Sequence, residues 1–359
     1  MKITFILPMY LSVPSGGFKV VYEYANRLQR RGHQITIVHP RTITAVTGAA
    51  ERVKRYLWKP KLLFKNRQLI TWFQVDEEVN LLLVHDLRAR FIPDADVIVA
   101  TAYDTSFQVA AYPPEKGKKV YLIQSYETWN GEEAIVQSSW KLPMQKVVIS
   151  RYLLRLAEGF GDLKHTYYIP LGLDLSVFRL LVPIVNRAIP RVGMLAHPNK
   201  IKGTEDGIRA LVFVKEKIPD LQAVLFGTES RNSDLPTWIE YVQRPIQSGL
   251  VELYNSCQIF LSPSWAEGWG LPAAEAMASG CALVSADNGG VGEFAINGES
   301  AFIVPIKCPK ELAEKTITLL SDDDLRIKMA SAGYETVQKY TWERAVRSLE
   351  RLFIDISRV

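Results

Sequence analysis

Short β-branched runs alternate with longer amphipathic stretches along the chain. Ile3 to Leu7 reads as a buried strand, and the loop behind it ends Ser15-Gly16-Gly17. Apolar positions at Val20, Val21, Tyr24, Ala25 and Leu28 recur at helical spacing and predict a helix from about Phe18 to Arg30. Gly32 stops it, and Ile35 to Val38 is the next strand. Asp96 to Ala100, Val120 to Gln124 and Val147 to Ser150 continue the series.

A second round begins near Arg191. Strands are predicted at Val192 to Leu195, Gln222 to Phe226, Ile259 to Pro263 and Ala282 to Ala286. Helices are predicted at Glu205 to Lys217, around Gly249 to Asn255 and after Pro272. Leu171 to Pro190, with two prolines and little periodicity, reads as the connection between the rounds. This rhythm predicts an α/β protein of two doubly wound halves, each a parallel sheet with helices on both faces. Ligands of such sheets bind at the carboxyl ends of the strands, so a cleft between the halves is the expected site.

A length of 359 residues suits two domains of roughly 150 to 200 residues each. With 48% hydrophobic and 23% charged residues the chain is globular, not disordered. Cys257, Cys281 and Cys308 are odd in number and lack CxxC or histidine company, which disfavours a disulfide scaffold or zinc site and favours a reducing, cytoplasmic compartment. No apolar run reaches the ~18 residues of a spanning helix, and the first apolar stretch is too short for a signal peptide. Secretion and membrane spanning are therefore not expected.

The net charge of +5 is uneven. Residues 52–67 hold seven basic residues and no acid, interleaved with Tyr56, Leu57, Trp58, Leu62, Leu63 and Phe64, so the rest of the chain is slightly acidic. Basic and aromatic residues together suit an anionic membrane surface, which would make the protein peripheral on the inner face of a membrane. A solvated loop, or a helix packed on its own domain, fits the same residues, and Pro60 interrupts any single long helix. No basic cleft or groove-reading element points to nucleic acid.

The most informative segment runs from Ser262 to Gly280. Gly268 and Gly270 flank Trp269 in a loop that leaves a buried strand, and Pro272 suits the first turn of a helix. The N–H groups of Gly270 and Leu271 would then point from a positive helix end toward an anion such as a pyrophosphate. Glu267 and Glu275 would repel a bare phosphate, so they make better acceptors for sugar hydroxyls. A nucleotide-sugar, with phosphates in the middle and a polyol at each end, has the matching layout. A nicotinamide enzyme fits poorly: the first loop lacks G-x-G-x-x-G, and the second strand runs into Val38-His39-Pro40-Arg41 without an acid.

Glu267-Gly-Trp-Gly-Leu-Pro-Ala-Ala-Glu275-Ala-Met-Ala-Ser-Gly280 resembles the signature of the retaining glycosyltransferases of family 4, which have the GT-B fold. Leu253 to Ser264, Asn288 to Glu293, Gly298 to Pro305, Ile169 to Phe178, Ser15 to Gly17 with Arg31 to His33, and Tyr340 to Glu343 are similar to further parts of that family. The resemblance implies two Rossmann-like domains facing a cleft. Residues 1–170 with a returning helix at 341–359 would bind the acceptor, and residues 171–340 the nucleotide-sugar.

By the same resemblance, Glu275 would accept from the ribose and Glu267 from the transferred sugar. Gly268, Trp269, Gly270 and Leu271 would surround sugar and phosphate, and Lys202 would match the phosphate-binding lysine. Gly16 and Gly17 would approach the donor from the other wall, Gly227 would line the nucleotide side, and Arg244 would face the base. The implied reaction moves a hexosyl or deoxyhexosyl group, with retention, to a polysaccharide, glycolipid or other carbohydrate acceptor, without a metal or other cofactor.

Two departures stand out. Met194 occupies the place of an expected arginine, leaving His197 or Lys200 as substitutes. The strand ending at Ile123 runs into Gln124-Ser-Tyr-Glu127 with no histidine, so Gln124 and Glu127 are candidates for the sugar wall. A polar turn capped by aromatics fits those two equally well. The alternative function is a non-catalytic nucleotide-sugar-binding protein with a decayed site, against which the intact Glu267, Glu275 and Lys202 argue.

Overall fold

The computed structural model describes residues 1–41, 61–62 and 70–358. The basic and aromatic stretch 52–67 thus lies outside the described residues, the backbone of 61–62 excepted. The chain forms two compact units, Met1–Leu171 with Trp342–Val359, and Gly172–Thr341.

The first unit contains β1 (Lys2–Ile6), α1 (Gly16–Arg30), β2 (Gln34–Pro40), β3 (Lys61–Leu62), β4 (Asn80–Val84), β5 (Val97–Ala100), α2 (Tyr103–Ala110), β6 (Lys118–Ile123), α3 (Glu133–Trp140), β7 (Gln145–Val148), α4 (Arg151–Gly159) and β8 (Thr166–Tyr168). Its sheet has the order β3-β4-β2-β1-β5-β6-β7-β8. All pairs are parallel except the two-residue edge pair of β3 with β4. The central strands are buried on both faces, as the consecutive pairs Phe5 and Ile6, Ile37 and Val38, and Ile98 and Val99 show, which is why they read as unbroken apolar runs. Strands progress outward in both directions from β1 and β5, so the order reverses between them.

Helix α1 begins two residues before the apolar pattern suggests. Ser15 is its N-cap, and Gly16 and Gly17 form its first turn. Glycine is a weak helix former, so the periodicity becomes legible only at Phe18.

The second unit contains β9 (Arg191–Leu195), α5 (Thr204–Lys217), β10 (Gln222–Gly227), β11 (Ile239–Gln243), α6 (Gln247–Ser256), β12 (Ile259–Ser262), α7 (Leu271–Ala278), β13 (Ala282–Ala286), β14 (Phe302–Val304), α8 (Pro309–Ser321) and α9 (Asp323–Val337). Its all-parallel sheet has the order β11-β10-β9-β12-β13-β14. Here the order reverses between β9 and β12, which pair in the register Phe260 to Gly193.

Of Leu171 to Pro190, read from sequence as a connection, residues 172–190 belong to the second unit and are packed onto it. The Asn255 side-chain oxygen accepts from the N–H groups of Leu181 and Val182 at 2.7 and 3.2 Å. Arg187 is buried and donates to the carbonyls of Cys257, at 2.7 Å, and Ser279. A buried guanidinium needs such partners, and they fasten the segment down.

The last helix, α10 (Trp342–Ser357), belongs to the first unit. Trp342, Val346, Leu349 and Phe353 are buried along one stripe, and the Trp342 ring meets Tyr24 of α1 edge-on at 5.3 Å. Glu350 accepts from Arg31 at 2.6 Å and contacts the His33 ring at 2.8 Å. Among the described residues, no helix is long and apolar enough to cross a membrane.

Candidate functional site

The reversal of strand order between β9 and β12 opens a crevice at their carboxyl ends, where α/β sheets bind ligands. Two loops enter it. Behind β9 the chain makes a single 3-10 turn, Lys200–Lys202, capped by the Asn199 side chain accepting from the Ile201 N–H at 3.1 Å. Gly203 then takes φ +62°, and a Cβ there would lie 2.1 Å from the Pro263 carbonyl oxygen. Only glycine permits this approach, which presses the Lys202 turn against the end of β12. The Trp265 N–H donates to Ile201 across the same seam at 2.7 Å.

Behind β12, the Glu267 N–H donates to the Asn288 carbonyl at 2.9 Å, and Glu267 forms a parallel bridge with Gly289. Gly290 lies so close to the Trp269 backbone that a Cβ would stand 2.7 Å from its nitrogen. The Trp269 ring is buried against Phe294 and Tyr340, at 5.0 and 5.7 Å between centroids, and Gly268 is buried beside it. Trp269 is thus a pillar under the loop and offers the crevice only its backbone.

These two pinned loops bring Lys202 and Glu267 together. The Lys202 ammonium lies 2.8 and 2.9 Å from the two Glu267 oxygens, with the side chains 25% and 15% exposed. Beside them α7 begins. Gly270 caps it with φ +98°, Pro272 has no N–H, and those of Ala273 and Ala274 turn to the Gly270 carbonyl. Gly270 and Leu271 supply the donors at its positive end. A hollow lined by Ser262, Ser264, Glu267 and Gly270 lies between β12 and α7.

Glu275 lies further along α7 and is only 4% exposed. Its charge adds to burial in holding the Tyr254 phenol well above the ordinary range. The His197 Nδ1 accepts from the Asn199 N–H at 3.0 Å, so the neutral ring carries its proton on Nε2. Desolvation, reinforced by the Lys202 charge, lowers its pKa. Thr204 holds the loop by accepting from the His197 N–H and donating to the His197 carbonyl, both at 2.9 Å. Lys200 is exposed.

Gly227 closes β10 where a Cβ would lie 2.4 Å from the Ala196 carbonyl oxygen. The Arg244 N–H donates to Gly227 at 2.7 Å, its Nε to Thr228 at 2.8 Å, and its φ is +49°. Met194 is fully buried: a Cβ on Gly207 of α5 would lie 2.1 Å from its sulfur. The side chain enters the core under α5.

In the first unit, the carboxyl end of β6 brings Gln124 against Gly17, with side-chain atoms 3.6 Å from where a Cβ would stand, while Gly16 meets nothing within 4 Å. Glu127 accepts from the Tyr103 N–H at the start of α2, at 2.7 Å. Burial raises its pKa to about 7, with Asp104 adding to the shift. Asn288 and Thr204, which hold the two loops, escaped the sequence reading as site residues. The Asn-Gly-Gly after β13 and the threonine opening α5 were the available signals. Among the described residues, no group of three or more His, Cys, Asp or Glu side chains is arranged to hold a metal ion.

Residues 190–336 match the family model described as glycosyl transferases group 1. A D-inositol 3-phosphate glycosyltransferase from Corynebacterium aurimucosum is 32% identical over 193 residues, 49% of this chain and 45% of that protein. The chain thus spans less than half the length of that relative. A phosphatidyl-myo-inositol mannosyltransferase from Mycobacterium tuberculosis is 22% identical over 98% of this chain and 96% of its own length. Among solved structures, Anabaena HepE in complex with UDP-glucose superposes with a TM-score of 0.76 at 16% identity, covering 99% of this chain and all of that one. Sucrose-phosphate synthase from Thermosynechococcus elongatus gives 0.76 at 16% identity, covering 99% and 98%. The chain has the GT-B fold, and its residues 190–336 carry a domain of the glycosyl transferases group 1 kind.

Proposed function

We propose that this protein is a glycosyltransferase that takes a hexosyl or deoxyhexosyl group from a nucleotide-sugar and passes it, with retention, to a carbohydrate or lipid-linked acceptor. The observation that carries this reading is the meeting of Lys202 and Glu267 beside the N-terminus of α7, at the point where the strand order reverses. A cation and helix N–H groups suit a diphosphate, and a carboxylate suits sugar hydroxyls. Glu275, one turn further on, would take the ribose, with Gly227 and Arg244 on the base side and His197 and Lys200 near the phosphates. Gly16, Gly17, Gln124 and Glu127 belong to the acceptor-bearing unit.

In this mechanism the bond from the anomeric carbon to the phosphate oxygen breaks as the acceptor oxygen bonds to the same carbon on the same face. The acceptor proton passes to the departing phosphate oxygen. The protein positions the partners, while Lys202 and the α7 N–H groups stabilise the charge that gathers on the diphosphate. Glu267 holds the sugar and forms no covalent bond to it.

The three free cysteines suit a reducing compartment, and residues 52–67 suit an anionic membrane surface carrying lipid-linked acceptors. We place the enzyme in the cytoplasm, peripheral to such a surface. A panel of UDP-, GDP-, ADP- and dTDP-sugars, scored first by thermal stabilisation and then by turnover, tests the central reading. At least one donor is expected to raise Tm and be consumed. Stabilisation without turnover on any acceptor would instead favour a non-catalytic binding protein, and stabilisation by a nicotinamide cofactor alone would overturn the reading.

A further inference from the structure

Lys202 and Glu267 are the groups assigned above to the diphosphate and to the transferred sugar, and they are bonded to each other. Their positions are fixed before any ligand arrives. Gly203 presses the lysine turn onto Pro263, Trp265 bonds to Ile201, and the Glu267 N–H is tied to Asn288. An ion pair between pre-positioned, mostly buried side chains loses less conformational entropy than a free surface pair, and so couples its members more strongly. The neighbouring His197 ring already has its Nδ1 engaged by the Asn199 N–H at 3.0 Å.

A phosphate that engages Lys202 must therefore compete with Glu267. An intact nucleotide-sugar compensates both members, since its phosphates take the ammonium while its sugar hydroxyls donate to the released carboxylate. A nucleoside diphosphate compensates only one. It takes Lys202 and leaves a part-buried carboxylate with an anion nearby and no donor in exchange.

We propose that Glu267, through its bond to Lys202, makes the site select the intact donor over the spent nucleoside diphosphate and drives product release by reclaiming the lysine once the sugar has gone. Glu267 thus has a second role beside holding the sugar, one that rests on the nucleotide-sugar reading of this unit.

The test is isothermal titration of wild type, Glu267→Gln, Lys202→Met and the double variant with UDP, GDP, ADP and dTDP, and with a matching sugar conjugate of each. Glutamine keeps the shape of residue 267 and its backbone bond to Asn288. Glu267→Gln should bind the cognate nucleoside diphosphate about tenfold more tightly than wild type, and the gain should fall below about twofold when Lys202 is already methionine. Wild type should bind the intact donor more tightly than the diphosphate, and Glu267→Gln should reverse or erase that preference.

Unchanged or weaker diphosphate binding by Glu267→Gln overturns the inference and leaves the proposed function standing. So does an equal gain in both lysine backgrounds, which would reflect charge removal in general. A wild-type preference for the diphosphate over its sugar conjugate overturns the inference without recourse to any variant. Absence of binding to any nucleotide or nucleotide-sugar overturns the proposed function together with it.

Discussion

The Glu127 carboxylate accepts a hydrogen bond from the Tyr103 N–H at 2.7 Å, yet its pKa is raised from 4.5 to about 7. Burial outweighs the stabilising bond, and Asp104, itself raised by burial, adds like charge. The folded protein therefore keeps a proton on Glu127 between pH 4.5 and 7, where the unfolded chain has lost it. This contribution to stability is complete below pH 4.5 and is lost as pH rises through 7. Glu127→Gln cannot ionise, so relative to wild type it should gain on the order of 2 kcal/mol between pH 5 and 8. Paired thermal melts across that range measure the difference. A difference independent of pH would show that Glu127 titrates normally.

Two glycines should respond in opposite ways. Gly203→Ala sets a Cβ 2.1 Å from the Pro263 carbonyl on a residue at φ +62°, and should cost about 2–4 kcal/mol. Gly16→Ala has nothing within 4 Å and lies in the first turn of α1, so it should gain about 0.5–1 kcal/mol. If a ligand closes against Gly16, turnover in that variant should nonetheless fall at least about tenfold, the size of effect a small misplacement of reacting groups produces. Denaturant titration and initial rates separate the two quantities.

Restoring the arginine expected at Met194 should damage the protein instead of improving it. The side chain is fully buried against Gly207, so Met194→Arg would bury a cation without a partner. A loss of several kcal/mol is expected. A variant that melts like wild type and gains activity would contradict the buried placement.

Glu275→Ala should weaken nucleoside diphosphate binding by about tenfold to a hundredfold, the usual worth of a hydrogen bond to a charged group. Titration of the same diphosphate into both proteins checks this, with unchanged affinity refuting the ribose assignment. Since Glu275 is only 4% exposed, the melting temperature should be followed in parallel.

Changing the seven Lys and Arg of residues 52–67 to Gln should abolish flotation with anionic liposomes and leave turnover on a soluble acceptor intact. Equal flotation of both proteins would remove the membrane contact from the proposed function.

The strands that were legible in the sequence are those buried on both faces, such as β1, β5, β9 and β12, whose apolar runs need no partner to be recognised. Those that escaped are mostly short or marginal: Ile239–Gln243 is half exposed at one sheet edge, and Thr166–Tyr168 and Phe302–Val304 have three residues each. Glu267, Gly270 and Glu275 could be picked out because a loop and a helix start fix their spacing within one segment. The contact between Lys202 and Glu267 could not, because 65 residues separate them and only the pairing of β9 with β12 brings their loops together. The burial of Met194 was not legible for a related reason. A strand covered on both faces gives no periodic sign of which way each side chain turns.

Trp342 and the helix it opens complete the core of the first unit, although every residue of the second unit precedes them in the chain. During synthesis the stripe on α1 that receives Trp342 is made early and must wait until the whole second unit has left the ribosome. The unit begun first is thus finished last. Its half-built state would be the exposed one on the polysome, and a chain truncated just before residue 342 would release a sound second unit beside a first unit missing one wall of its core.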